Sequence, residues 1–139
     1  MPSMSPTGED PGERFRERYR RHGDALLEAE LDVLGSDYRA NGYTTRSQAD
    51  ALGRALGLGE GDHLLDIGSG CGWPGLYLAS VLGCSVVTID PVLEGTSVAA
   101  ARAASDGLGR RHHAVVAEGE ALPFRSQSFD AVTHTDVTC

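Results

Sequence analysis

Long apolar runs are missing from this 139-residue sequence. None approaches the roughly 20 residues that a membrane-spanning helix needs, so no span is expected. The first residues, "MPSMSPTGEDPGER", lack the apolar stretch of a secretory signal, and a cytoplasmic setting is expected. Cysteine is scarce. Cys71, Cys84 and Cys139 are odd in number and lack metal-ligand spacing, so they read as buried or free thiols of a reducing compartment. Of the five histidines, only His112 and His113 are adjacent. Neighbours on a strand point to opposite faces, so that pair makes a poor metal site, and no metal is expected. Basic residues are few, 12 against 20 acidic ones, for a net charge of −8. That balance disfavours non-specific grip on nucleic acid or on an anionic membrane. Forty per cent of the residues are apolar, which suits a globular fold. At this length one domain can bury roughly two thirds of its chain surface.

The chain divides into three stretches. Residues 1–12, rich in Pro, Gly, Ser and acids, read as a disordered tail. Residues 13–60 read as a helical cap. "ERFRERYRRHG" is a charged helix with Phe15 and Tyr19 on one edge. In "GDALLEAELDVLG", Asp24 can cap, Leu27, Leu31 and Leu34 form a stripe, and Gly35 stops the helix. "SDYRANGYTT" is a loop. In "TRSQADALGRALGLG", Thr45 and Gln48 have capping-box spacing, Ala49, Leu52 and Leu56 share a face, and Gly57 ends the helix. Residues 61–139 read as a sheet-centred core. "HLLDI", "SVVTI", "HAVVA" and "FDAVTH" are short apolar strands. Between them lie helices "PGLYLASVLG", with Pro74 in the first turn, and "TSVAAARAASDG", ended by Gly107. Apolar strands alternating with helices imply an α/β fold. It is a Rossmann-like parallel sheet with helices on both faces and the N-terminal helices packed on top.

The chemistry concentrates at the strand ends. In such a sheet, ligands sit beyond the carboxyl ends of the strands. "LLDIGSGCGWPG" puts four glycines between 68 and 75 there, leading into a helix start with unpaired N–H groups. Gly70, Gly72 and Gly75 satisfy the dinucleotide spacing G-x-G-x-x-G. Three acids fall in step: Asp66 ends the first strand, Asp90 the second and Glu118 the third. Each βα unit returns the chain to the same rim, so three carboxylates should line one crevice. An acid after the second strand can accept from both hydroxyls of a ribose, at about 1.5–3 kcal/mol per charge-assisted bond. One strand further out, an acid can accept from an exocyclic amine. Without Lys or Arg in the loop, the crevice suits a positively charged nucleoside better than a pyrophosphate.

These residues resemble the class I S-adenosylmethionine-dependent methyltransferases over 62–137. "LLDIGSGCG" is similar to their first motif and "VVTIDP" to their second. "VVAEGEALPFRSQSFDAVTHTDV" is similar to the run across their third and fourth strands. Upstream, "NGYTTRSQADALGRALGL" resembles the lid-forming segment of small-molecule members. The resemblance implies S-adenosyl-L-methionine as cofactor and a small-molecule methyl acceptor. It implies that Asp66, Gly68 and Gly70 hold the methionine end and that Asp90 binds the ribose hydroxyls. Glu118 would face the adenine amine, and the Gly119 backbone would read the ring edge. Thr135 would pass beside the methionine moiety, and Tyr43 and Thr44 would close over the cofactor. His134 and Asp136 are the candidate general bases, though each reads more readily as scaffold. Against the family's seven strands this sequence supplies four. The C-terminal half of the sheet is therefore expected to be missing, as in a truncated form of a longer methyltransferase. Two rivals stand beside this reading: an NAD(P)-dependent oxidoreductase, from the glycine spacing, and a non-catalytic nucleoside-binding module.

Overall fold

A computed structural model describes residues 10–20, 23–40 and 42–135. The expected tail falls mostly on residues 1–9, and Asp136 and Cys139 also lie outside the described residues. In chain order the elements are α1 (Pro11–Arg20), α2 (Asp24–Leu34), α3 (Arg46–Leu56) and β1 (His63–Ile67). Then follow α4 (Gly75–Leu82), β2 (Ser85–Asp90), α5 (Leu93–Ser105), β3 (His112–Val116) and β4 (Ala131–Thr133).

Local sequence accounts for most of these boundaries. The α3 capping box is present in both directions: Thr45 accepts the Gln48 N–H, and the Gln48 side chain accepts the Thr45 N–H. Gly35, Gly57 and Gly83 end their helices in the left-handed conformation that glycine adopts without strain. Four expectations need correction. Asp24 does not cap α2; Gly23 holds the cap position, and Asp24 sits in the first turn, where its charge opposes the positive end of the helix. The stripe Leu27, Leu31, Leu34 is only partly inward: Leu27 and Leu34 are half-buried, Leu31 is 51% exposed, and the buried residue of α2 is Glu30. Pro74 precedes α4 rather than opening it, and α5 begins at Leu93, ahead of its Thr and Ser.

Among the described residues the sheet has the order β3-β2-β1-β4, with every pair parallel. In register, Leu64 lies beside Val86 and Ala131, and Asp66 lies beside Thr88 and Thr133. The strand expected at 129–134 is the three residues of β4, and the chain between β3 and β4 runs as turns. One core cluster joins Leu64 and Val86 to Leu76 and Leu78 of α4 and to Ala99 and Ala103 of α5. Both crossover helices therefore cover the same sheet face. Each Leu buried there contributes about 1.5–3 kcal/mol.

The cap is fastened to this core by a column of rings. Tyr38, Trp73 and Tyr77 follow one another as tilted rings, with centroids 5.3 and 5.4 Å apart. Guanidinium groups close both ends: Arg102 lies 4.0 Å over Tyr38 and Arg46 lies 5.2 Å over Tyr77. The Trp73 indole N–H donates to the Thr44 carbonyl at 3.0 Å, and the Tyr77 hydroxyl bonds the Asp50 carboxylate. The glycine loop and the segment before α3 are thus bound directly to each other.

Candidate functional site

The glycine loop folds back over the end of β2. The N–H groups of Gly68 and Ser69 both donate to the Ile89 carbonyl, at 2.8 and 3.0 Å. Gly70 N–H then donates to one oxygen of Asp90 at 2.9 Å, and Val92 N–H to the other at 2.9 Å. Asp90 is buried, and that burial pushes its carboxyl above the ordinary value despite the two donors. Gly70 has φ 54°, and a Cβ there would lie 3.1 Å from the Tyr19 hydroxyl, so α1 is seated on the loop.

Asp66 is fully buried. One carboxylate oxygen accepts the Gly75 N–H at the start of α4, and the other accepts the Thr133 hydroxyl of β4, each at 2.9 Å. Burial pushes this carboxyl up to about 7, while Thr133 and Gly75 oppose the shift and nearby Asp90 adds to it. The contact explains Gly75: a Cβ at that position would lie 2.5 Å from the Asp66 oxygen.

Beyond the strand ends lies a slot of about 540 Å³. Every strand contributes to its wall: Ile67 ends β1 and Gly68 follows it, Pro91 follows β2, the run Ala117–Glu120 follows β3, and His134 follows β4. Gly119 packs close, since a Cβ there would stand 3.1 Å from the Ile67 side chain. A second cleft of about 400 Å³ is lined by Tyr43, Thr44, Gln48, Leu52 and Thr135. His134 and Thr135 are consecutive, so the chain after β4 separates the two spaces.

The nine residues singled out from sequence thus fall into three places. Gly68, Glu118 and Gly119 line the slot. Tyr43, Thr44 and Thr135 line the second cleft, with Tyr43 82% exposed. Asp66, Gly70 and Asp90 are buried beneath, engaged with each other's elements. The acids therefore share one rim, but among the described residues Glu118 is the one of the three in the slot wall. Strand parity is the reason for Asp66: its side chain turns to the α4 face, and its neighbour Ile67 lines the slot. Sequence reasoning missed Ile67, Pro91, Ala117 and Glu120; their positions at or just after strand ends were the available signal. It also missed Thr133, whose partnership with Asp66 requires the β1–β4 pairing. Elsewhere, the adjacent histidines do face opposite ways. His112 is buried against the Thr88 hydroxyl at 2.8 Å, and burial pushes its ring down to about 4. His113 is exposed. Among the described residues no group of His, Cys, Asp and Glu could hold a metal ion, and no helix is long and apolar enough to cross a membrane.

The order β3-β2-β1-β4 reverses direction between β1 and β4, and a ligand-sized slot lies at the carboxyl ends of the strands, as in doubly wound α/β folds. A family model described as a methyltransferase domain matches residues 64–139, and the chain belongs to that family. A SAM-dependent methyltransferase from Geobacter sulfurreducens, solved with S-adenosyl-L-homocysteine, is similar at 26% identity and TM-score 0.61. That alignment covers 79% of this chain and 44% of that one. Its counterpart from Thiobacillus denitrificans, also solved with S-adenosyl-L-homocysteine, is 26% identical with TM-score 0.60, covering 75% and 42%. The [4+2]-cyclase SpnF is 29% identical with TM-score 0.54, covering 70% and 36%. The chain therefore spans less than half the length of each of these three structures.

Proposed function

We propose that the slot binds S-adenosyl-L-methionine and that the protein transfers its methyl group to a small-molecule acceptor. The observation that carries this reading is one slot walled by all four strand ends and containing Glu118 and Glu120, with no Lys or Arg among its lining residues. Such a site favours a nucleoside that carries positive charge and no phosphate. The fit extends to shape: Gly68 and Gly119 line the slot without a side chain of their own, so main chain can approach a flat ring closely. In this arrangement Glu118 accepts from the adenine amine and the Gly119 backbone meets the ring edge. Asp90 holds the glycine loop and offers its remaining lone pairs to the ribose hydroxyls. Asp66 acts from below, fixing the loop to α4 and β4. Gly70 sets the loop's turn. Tyr43, Thr44 and Thr135 border the methionine end.

When bound, the cofactor supplies an electrophilic methyl group that an acceptor nucleophile takes by in-line displacement. The chain's contribution is position and charge. Holding two reactants aligned can supply up to about 7–11 kcal/mol of the barrier reduction. The acidic wall favours the cationic donor over its neutral product. His134 lines the slot and stands as the candidate base for acceptors that must lose a proton.

Calorimetry with S-adenosyl-L-homocysteine and with NAD, side by side, tests the reading. Binding of the former alone is expected; binding of NAD alone would replace this function with hydride transfer. The solved cyclase of the same fold favours one alternative, a nucleoside-binding domain that does not methylate. Donor binding without transfer to any acceptor would support it. The net charge of −8 stands against a nucleic-acid acceptor.

A further inference from the structure

At the amino-terminal ends of the strands, away from the slot, basic groups gather on a chain whose net charge is −8. A cleft of about 180 Å³ opens there, with His63, Ser85, Arg110, Arg111, His113 and Phe129 in its lining. Among the described residues no Asp or Glu lines it. Parallel register sets three of these side chains on one side of the sheet. His63 lies beside Ser85, and Val87, two positions along β2, lies beside His113. Residues two apart on a strand share a face, so His63, Ser85 and His113 project together. That face is opposite the one on which Leu64 and Val86 pack under α4 and α5. The two arginines arrive from the turn that enters β3. The Arg111 guanidinium is half-buried and fixed: one terminal nitrogen donates to the Ala79 carbonyl at 3.2 Å and to the Cys84 carbonyl at 2.8 Å. Carbonyls position it without neutralising it. Among the described residues its other nitrogens have no partner, and neither Arg110 nor Arg111 is paired with a carboxylate. Two acids neighbour these residues in sequence, Asp62 and Asp130. Both stay outside the lining and accept main-chain N–H groups, from Gly59 and His63.

We propose that this cleft is a second binding site, for the phosphate group of a small molecule. Gathering like charges around one cleft is unfavourable, and an anion seated among them relieves it. The donor set fits a phosphate. A guanidinium presents a planar fork to two of its oxygens. The Ser85 hydroxyl and the two imidazoles, each able to donate an N–H whether neutral or charged, remain for the others. A carboxylate has two oxygens and would leave part of that set unused. Because Arg111 is already held by Ala79 and Cys84, little of its freedom is lost on binding. The cleft is smaller than the roughly 300–1,000 Å³ of pockets that enclose drug-sized ligands, so the occupant is phosphate itself or a small monoester. The site stands apart from the methyltransferase reading, since the cofactor slot lies at the other ends of the same strands.

The probes are inorganic phosphate and phenyl phosphate, titrated separately into the ¹⁵N-labelled chain at low salt and mapped by amide chemical shifts. Saturable shifts at His63, Ser85, Arg110, Arg111 and His113 are expected from both, with dissociation constants of about 1 mM or tighter. Phenyl phosphate binding about threefold tighter or more would assign a monoester whose body rests on Phe129; equal affinities would assign free phosphate. Arg110→Gln removes one charge from an exposed position, so the fold is retained, and should weaken phosphate by about tenfold. Arg111→Lys keeps the charge but loses the fork, and should weaken phosphate as well. If that variant is destabilised by losing its bonds to Ala79 and Cys84, Arg110→Gln decides the matter. Shifts clustered elsewhere, or no saturation up to about 10 mM, would overturn the proposal. So would equal shifts from chloride at matched ionic strength, or an unchanged affinity in Arg110→Gln.

Discussion

The Asp90 carboxylate accepts the Gly70 N–H at 2.9 Å, so the end of β2 holds the glycine loop that follows β1. A residue read from sequence as a ligand acceptor is thereby also a loop anchor. Asp90→Ala removes both contributions. A charge-assisted hydrogen bond is worth about 1.5–3 kcal/mol, so affinity for S-adenosyl-L-homocysteine is expected to fall about 10- to 150-fold by calorimetry. An unchanged affinity would remove Asp90 from the site.

Asp66 makes stability depend on pH. Its carboxyl lies near 7 in the fold, above the ordinary 3.8, so the folded protein holds this proton more tightly than the unfolded chain does. The stabilisation is full below about pH 4 and is lost as pH rises through 7. Asp90 shifts in the same direction. His112 runs the other way: its ring lies near 4, so its contribution is lost as pH falls from 6.5 toward 4. Asp66→Asn can still accept from Gly75 and donate to Thr133. Its urea midpoint, compared with wild type between pH 5 and 8, should show the flatter profile. Parallel profiles would contradict the burial of a titrating carboxyl.

Gly75→Ala tests the same contact from the opposite side. The added Cβ would meet the Asp66 oxygen at 2.5 Å, and relief requires movement of β1, α4 or both. Overpacking of this kind costs about 1–3 kcal/mol, read as a lowered denaturation midpoint. A neutral outcome would mean that the helix start is not pressed onto Asp66.

Trp73 is the only tryptophan in the sequence, and it joins the glycine loop to the segment carrying Tyr43 and Thr44. Trp73→Phe keeps a ring between Tyr38 and Tyr77 but loses the N–H bond to Thr44. A loss of about 1–3 kcal/mol in stability is expected by urea denaturation, with Trp73→Ala costing about 3–5 kcal/mol. Equal stability of the Phe variant and wild type would show that this bond does not hold the cap.

The parts of this fold that were readable in advance are those fixed by neighbours in the chain. The capping box at Thr45 and Gln48, the glycine stops at 35, 57 and 83, and the apolar runs of β1 and β2 all depend on spacing alone. The unread parts depend on partners far away in sequence. Glu30 could be placed inward only by knowing that Ser36 and Tyr38 would return to meet its carboxylate. Asp66 looked like a slot residue because it ends a strand before glycines; its inward turn follows from Thr133, 67 positions later. Glu118, Gly68 and Gly119 were legible because a residue just past a parallel strand has nowhere to go but the rim.

The central claim is that the nucleoside occupies the slot at the strand ends. Amide chemical-shift mapping of the ¹⁵N-labelled chain with S-adenosyl-L-homocysteine tests it most directly. The largest shifts are expected at Ile67, Gly68, Ala117 through Glu120 and His134. Shifts confined to the opposite, amino-terminal ends of the strands, around His63, Ser85 and His113, would contradict it, as would no shifts at all.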